Sequence, residues 1–351
     1  MTNYLDQALN KTASQTTVAP TVVQKEEKTE VKETKPQVID KKKLAFGAAA
    51  AVGTAAIAIG GVLLHKKLNT KFIEEILENG DTGIKKLFKG KLVEYKEIDS
   101  NGALRYLEQG IKENTDGSRF VRKITNYFEN GKVSKVHENY EGRADGSWFA
   151  KKITNYFKNG NISKVYENYE GRADNSWGAK KITSYYENGN VSKISDDYER
   201  RVDGSTFIKK ATNYFENGNI YSLSEDVEQK SDGSSYIKKM IDYYEGGDIS
   251  RLSEGVEQRA NNSTYVKKFT DCYEGGKKSA IIEDFEIQAD SSNFTKKFTK
   301  YSEDGETVSC VAEDIVNGAE NDAPYIAGKL TEFKPEGEIV TENADVSNLF
   351  L

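Results

Sequence analysis

Side chains able to do covalent or metal chemistry are few in these 351 residues: two cysteines, Cys272 and Cys310, and two histidines, His65 and His137. Two thiols cannot complete a cysteine zinc site or a disulfide framework, and two imidazoles leave little for histidine chemistry. Carboxylates are abundant, with 56 Asp and Glu against 50 Lys and Arg, so paired acids for hydrolysis or calcium are the chemistry to look for. They recur at fixed intervals opposite lysines, the pattern of a structural ladder, whereas catalysis needs a convergent set of unlike groups. The repeated Asp-Gly-Ser turns lack the GGxGxD calcium signature. No phosphate-binding glycine loop, dinucleotide fingerprint or nucleophile elbow occurs. The sequence therefore predicts a non-enzyme with no catalytic, cofactor-binding or metal-binding residues. A net charge of -6 gives no basic excess for nucleic acid.

Composition limits what could position any site. An apolar fraction of 36%, of which 20 residues are tyrosine, is poor for a thick two-layer core. Residues 1–43 are rich in Lys, Glu, Thr and Gln without periodicity and are expected to be a disordered charged tail. Leu44 to Leu64 carries no charge and is flanked by lysines. At 1.5 Å per residue this run covers roughly 30 Å, the thickness of a bilayer's hydrocarbon, so a single transmembrane helix is expected there. More lysines precede the span than follow it, which favours a cytoplasmic N-terminus and extracytoplasmic repeats. Residues 65–86 carry an apolar stripe (Leu68, Phe72, Ile73, Ile76, Leu77) closed by Asn79-Gly80 and read as a helical stalk or cap.

From Asp116 a 29-residue period governs the chain, with D/N-x-S turns at Asp116, Asp145, Asp174, Asp203, Asp232, Asn261 and Asp290 alternating with Glu-Asn-Gly turns such as Glu129-Asn130-Gly131. Segments rich in Tyr, Phe, Ile, Val and Thr between such turns are strands. The expected architecture over 87–340 is mainly β: an extended single-layer antiparallel meander of roughly sixteen strands built on short loops, with degenerate end units, a 341–351 tail and a β-solenoid as the alternative. A three-residue loop with Gly131 left-handed places Phe120 opposite Tyr140, Arg122 opposite Glu138 and Ile124 opposite Val136. A four-residue loop Arg143 to Gly146 then places Tyr140 opposite Phe149, Glu138 opposite Lys151 and Val136 opposite Ile153. These registers predict, on one face, an aromatic ladder (Phe120, Tyr140, Phe149, Tyr169), an aliphatic ladder and an alternating charge ladder, with a second stripe of Tyr127, Tyr156, Tyr185 and Tyr214 on the other face. His137 shares its column with Tyr166, Ser195, Ser224 and Ser253 and reads as a tolerant surface position. Cys272 and Cys310 fall in the columns of Tyr127 and Val136, on opposite faces roughly 14 Å apart, too far to bridge.

The cores ITNYFENGKVSKV and ITSYYENGNVSKI resemble the Y-Y-x-N-G-K signature of the MORN-type variant repeats of bacterial proteins, over about residues 87–340. That resemblance implies short β-hairpins stacked into an extended sheet. The 29-residue period and the lack of a second regular glycine and tryptophan depart from it, so no lipid-binding role is carried over. The functional expectation is a membrane-anchored, cell-surface repeat rod for protein binding, adhesion, scaffolding or self-association. Its candidate surface is Phe120, Tyr140, Phe149 and Tyr169 together with Tyr127, Tyr156, Tyr185 and Tyr214, because apolar patches mark contact sites. Carbohydrate recognition by the aromatic stripes, and a cytosolic membrane-tethered scaffold, are the alternatives.

Overall fold

The computed structural model describes residues 69–317 and 323–349. The expected tail, 1–43, and the expected membrane span, Leu44 to Leu64, lie outside the described residues. Among the described residues, no helix is long and apolar enough to cross a membrane.

Among the described residues, twenty antiparallel strands form one sheet. Each strand pairs with the next in sequence, from β1 (Thr70–Ile76) paired with β2 (Thr82–Phe88) to β19 (Ile326–Lys334) paired with β20 (Gly337–Asp345). The first and last strands do not pair with each other, so the sheet is an open meander, not a solenoid. It has four strands more than expected, and the difference lies at the two ends of the sheet. The 65–86 segment is no helical stalk where it is described: TKFIEEI forms β1, Asn79-Gly80 closes a hairpin, and Lys85 reaches back to Glu75 at 2.8 Å. Seven residues supply less than two helical turns, so a helical stripe and a strand cannot be told apart over that length. At the other end β20 runs to Asp345, past the expected boundary at 340, and Val346 is fully buried with its N–H donated to the Tyr325 carbonyl.

Both turn types have the same geometry. In the hairpin from β5 (Arg119–Tyr127) to β6 (Val133–Gly142), Phe128 N–H donates to the Lys132 carbonyl and Gly131 N–H to the Phe128 carbonyl, with Gly131 at φ 77. The connection from β6 to β7 (Trp148–Tyr156) repeats this between Arg143 and Ser147, so its loop has three residues, not four. The side chain closes each turn: Asp145 Oδ1 accepts the N–H of Ser147 at 2.9 Å and its hydroxyl at 2.6 Å, and Asn130 Oδ1 accepts Lys132 N–H at 3.0 Å. This is the physical content of D/N-x-S, an Asx turn that satisfies the loop's own backbone.

The expected register holds only beside the Glu-Asn-Gly turn, where Tyr127 faces Val133. One residue beyond, a bulge shifts the pairing, so that Asn126 faces Lys135, Thr125 faces Val136 and Ile124 faces His137. The shorter second loop propagates the shift, giving Tyr140 opposite Ala150, Glu138 opposite Lys152 and Val136 opposite Thr154. A one-residue slip moves side chains between faces. Hence the expected aliphatic ladder is divided between faces, and the charge ladder uses the second lysine of each Lys-Lys or Arg-Lys pair. Lys123, Lys152 and Lys181 oppose Glu138 and Glu167.

A second irregularity crosses the sheet mid-strand. Asn139, Asn168, Asp197, Asp226 and Asp284 all have φ between 50 and 52, and the same column holds Gly110 at φ 72 and Gly255 at φ 61. Asn, Asp and Gly are the residues that tolerate this left-handed conformation. It re-aims the side chains that follow. Val121 and Ile124, three positions apart, pack in one cluster with Tyr140, where strict alternation would separate them. Along β6, His137 and the Gly142 that opposes Trp148 lie five positions apart, roughly 16 Å in a flat strand. The His137 and Trp148 rings nonetheless stack at 6.0 Å, so the strand bends at Asn139 toward this face. The bend shields a row from water, with Val121 and Ala150 fully buried and Ile153 2% exposed. The His137 column belongs to that row. Ser195, Ser224 and Ser253 are buried between Ile182, Ala211, Met240 and Phe269. It is a core column in which small residues sit between larger ones, not a tolerant surface position.

Between Ser302 and Thr307 the turn is one residue longer than its counterparts. Cys310 therefore falls in the column of Lys135, opposite Lys300 as Lys135 opposes Asn126, and not in that of Val136. It is buried, and both cysteines are free.

Candidate binding surface

The predicted aromatic ladder exists in altered form and with different members. Trp148 stacks on Tyr169 at 4.6 Å, Tyr169 on Trp177 at 5.1 Å and Trp177 on Tyr198 at 4.7 Å, with ring planes 17 to 25° apart. Tyr140 joins at 5.6 Å from Trp148, and Tyr166 meets Tyr169 edge-on at 5.8 Å. Both tryptophans of the chain are thus in the row, though neither was singled out. Trp148 opposes Gly142 on one side and Gly171 on the other, and its indole lies over Gly171, where an added Cβ would stand 2.3 Å from Nε1. Burial raises the phenol pKa of Tyr140, Tyr166 and Tyr198, and that of Tyr169 to about 12.

Phe120 and Phe149, adjacent in sequence to Val121 and Trp148, point to the other face by strand alternation. There they oppose Glu141 and Glu170, and the pattern continues with Phe207 opposite Glu199 and Glu228 and Tyr236 opposite Glu228 and Glu257. Tyr236, 41% exposed, is the most open of these rings. Arginines from the D/N-x-S turns reach the same glutamates one repeat on: Arg143 to Glu170 at 3.1 Å, Arg172 to Glu199 at 2.9 Å and Arg201 to Glu228 at 2.9 Å. The eight predicted surface residues are therefore not one site. Tyr140 and Tyr169 belong to the stacked row and Phe120 and Phe149 to the opposite face. Tyr127, Tyr156, Tyr185 and Tyr214 pair with Val133, Ile162, Val191 and Ile220 beside the Glu-Asn-Gly turns, as expected, and are half-buried.

Three polar groupings escaped sequence reasoning. Glu108, 3% exposed, accepts from the Tyr106 hydroxyl at 2.6 Å and is also paired with Arg119. Arg251 forks onto Asp271 through Nε at 2.5 Å and a terminal nitrogen at 3.1 Å, faces Asp242 on its other side and lies over the Phe269 ring. Burial pushes Asp242 up to about 6, against the pull of Arg251, which is engaged with Asp271. Lysines occupy the equivalent column in earlier repeats, and their spacing of one per 29 residues was the only signal. His137 is pushed down to about 4 by burial and by the nearby Lys135 ammonium, so it is neutral at physiological pH. Among the described residues, no group of three or more His, Cys, Asp or Glu could hold a metal ion.

No protein-family model matches this chain, and no curated protein matches it. Among solved structures, a porin-like protein from Bacteroides uniformis is similar at 10% identity and a TM-score of 0.20, covering 76% of this chain and 92% of that one. The Photorhabdus luminescens Tc holotoxin pore is similar at 9% identity and a TM-score of 0.14, covering 80% of this chain and 18% of that one. Nothing about function follows from likenesses this slight.

Proposed function

We propose that this protein is a membrane-anchored β-repeat rod that binds other proteins, as an adhesin or scaffold, with Leu44 to Leu64 as its anchor, its N-terminus cytoplasmic and its repeats outside. The observation that supports this best is the face on which half-exposed rings and carboxylates alternate from strand to strand (Phe149, Glu170, then Phe207, Glu228, Tyr236), interrupted at Gly178, which takes a ring's place between Glu170 and Glu199. Such a row gives a partner many equivalent purchase points, and aromatic anchors beside arginine are what protein interfaces favour. Kinship with the MORN-type variant repeats is part of the proposal, supported by the Glu-Asn-Gly hairpins. The stacked Trp and Tyr row favours protein over sugar as the ligand, because those rings use their faces on one another.

The test is photo-crosslinking in intact cells from a probe at Phe207, with the full chain carrying an epitope after Leu351. A discrete crosslinked species that disappears in Phe149→Asp/Tyr236→Asp, with the melting temperature unchanged, is the expected result. Crosslinks insensitive to those changes would remove this face as the binding surface. Labelling of the C-terminal epitope only after the cells are opened would place the repeats in the cytosol.

A further inference from the structure

One column of the bent face poses an electrostatic problem that the chain solves in one repeat and leaves open in others. In one later repeat the cation Arg251 lies between two carboxylates, with Asp242 opposite on one strand and Asp271 on the other, while the remaining later positions of the column are the uncharged Ser222, Ala280 and Cys310. In the earlier repeats the same column holds Lys135, Lys164 and Lys193, and their cross-strand neighbours are neutral. Asn126 and Asn155 flank Lys135, Asn155 and Ser184 flank Lys164, and Ser184 and Asn213 flank Lys193. All three lysines are half-buried. Among the described residues none has a carboxylate within ion-pair distance; Lys164 has only the Tyr166 ring, 6.0 Å away. Burial lowers the pKa of Lys135 and of Lys193, the latter further through Lys164. Holding three cations partly out of water without counter-charge is unfavourable, and in a chain with a net charge of -6 the uncompensated row stands apart.

The geometry points to Lys135, Lys164 and Lys193 as a binding track for a linear, base-free phosphate polyanion lying across the strands, whose charges supply what Asp242 and Asp271 supply to Arg251. Successive lysines are two strands apart, so the track runs about 19 Å from Lys135 to Lys193. Ammonium groups bind phosphate as point charges and tolerate variable spacing along a flexible chain, and the Asn155 amide and Ser184 hydroxyl between them can donate to further oxygens. A nucleic acid fits less well, because bases need open aromatic faces to stack on. Tyr166, the ring 6.0 Å from the Lys164 ammonium, is engaged by Tyr169 and Trp177.

The experiment uses the full chain and fluorescently labelled inorganic polyphosphate at several salt concentrations. Binding that weakens steeply with salt is expected, falling about tenfold or more in Lys164→Gln. The decisive variant is Asn155→Asp/Ser184→Asp, which builds the carboxylate sandwich of Arg251 around Lys164. It should abolish binding while the protein stays folded, as judged by circular dichroism. Absence of wild-type binding at low salt would overturn the proposal, as would undiminished binding by the folded double variant. Single-stranded DNA of equal charge binding as tightly as polyphosphate would overturn the assignment to a base-free ligand.

Discussion

Gly171→Ala isolates the stacked row, because one methyl group is asked to enter space the indole already fills. Gly171 has no left-handed backbone requirement, so the substitution tests space alone. Its new Cβ would meet three ring atoms of Trp148, at 2.3, 2.7 and 2.9 Å. That ring cannot simply swing aside, since Tyr140 and Tyr169 flank it with centroids at 5.6 and 4.6 Å. Overpacking of this kind costs about 1 to 3 kcal/mol. Gly142→Ala is the internal control. There the added Cβ would stand 3.3 Å from the far end of the Tyr140 side chain, which can yield, so a loss under about 1 kcal/mol is expected. Because Trp148 and Trp177 are the chain's only tryptophans, intrinsic fluorescence reads the row directly. Gly171→Ala should shift emission and lower the melting temperature, whereas Gly142→Ala should do little. Equal melting and unchanged emission in both variants would refute the close approach of the indole to Gly171.

Asp242→Asn should stabilise the protein at pH 8 by an amount on the order of 2 to 3 kcal/mol and make little difference at pH 4. A folded pKa of about 6 against an unfolded value near 3.9 means that the native state holds its proton more tightly. The associated stability is complete below about pH 4 and lost as pH rises through about 6, and denaturant titrations of both forms at the two pH values decide this. Asn168→Ala should cost about 1 kcal/mol in thermal or denaturant melts because it forces Ala to φ 50, while Asn168→Gly should be close to neutral. Glu167→Lys would stand opposite Lys152 and Lys181 and should lower stability by about 0.5 to 1 kcal/mol, less at high salt.

Repeat length, strand content and turn positions were legible in the sequence because Gly131, Asp145 and their equivalents mark backbone geometry that few other residues adopt. Register was not, since it depends on the bulge between Val133 and Lys135, where no glycine or proline signals an extra residue. The left-handed column is visible as an alternation of Asn, Asp and Gly at 110, 139, 168, 197, 226 and 255, yet it sits inside strand-like sequence, away from any turn. Trp148 could have been found from the glycines that stand opposite it on both sides, Gly142 and Gly171, whose column holds Arg200 and Gln229 in later repeats. The end strands were lost for a different reason, having drifted from the repeat while keeping its hairpin pairing. The chemistry of the Lys135 column is invisible without register, because whether a lysine faces Asn or Asp is the whole question.

The one-residue insertion between Ser302 and Thr307 shows what the architecture absorbs. A turn can take an extra residue, and β17 (Asn293–Tyr301) and β18 (Val308–Asn317) still pair in the same sense. Within a strand the same insertion would invert every side chain beyond it. A whole 29-residue unit is two strands, so duplication or loss of one by recombination returns the chain to the same polarity and the same face. The joints it creates are copies of joints already present. Adding or removing 29 residues at a time therefore requires no new core. Reach and the number of binding points would change together, while the end strands, which have no equivalent inside the array, stay fixed.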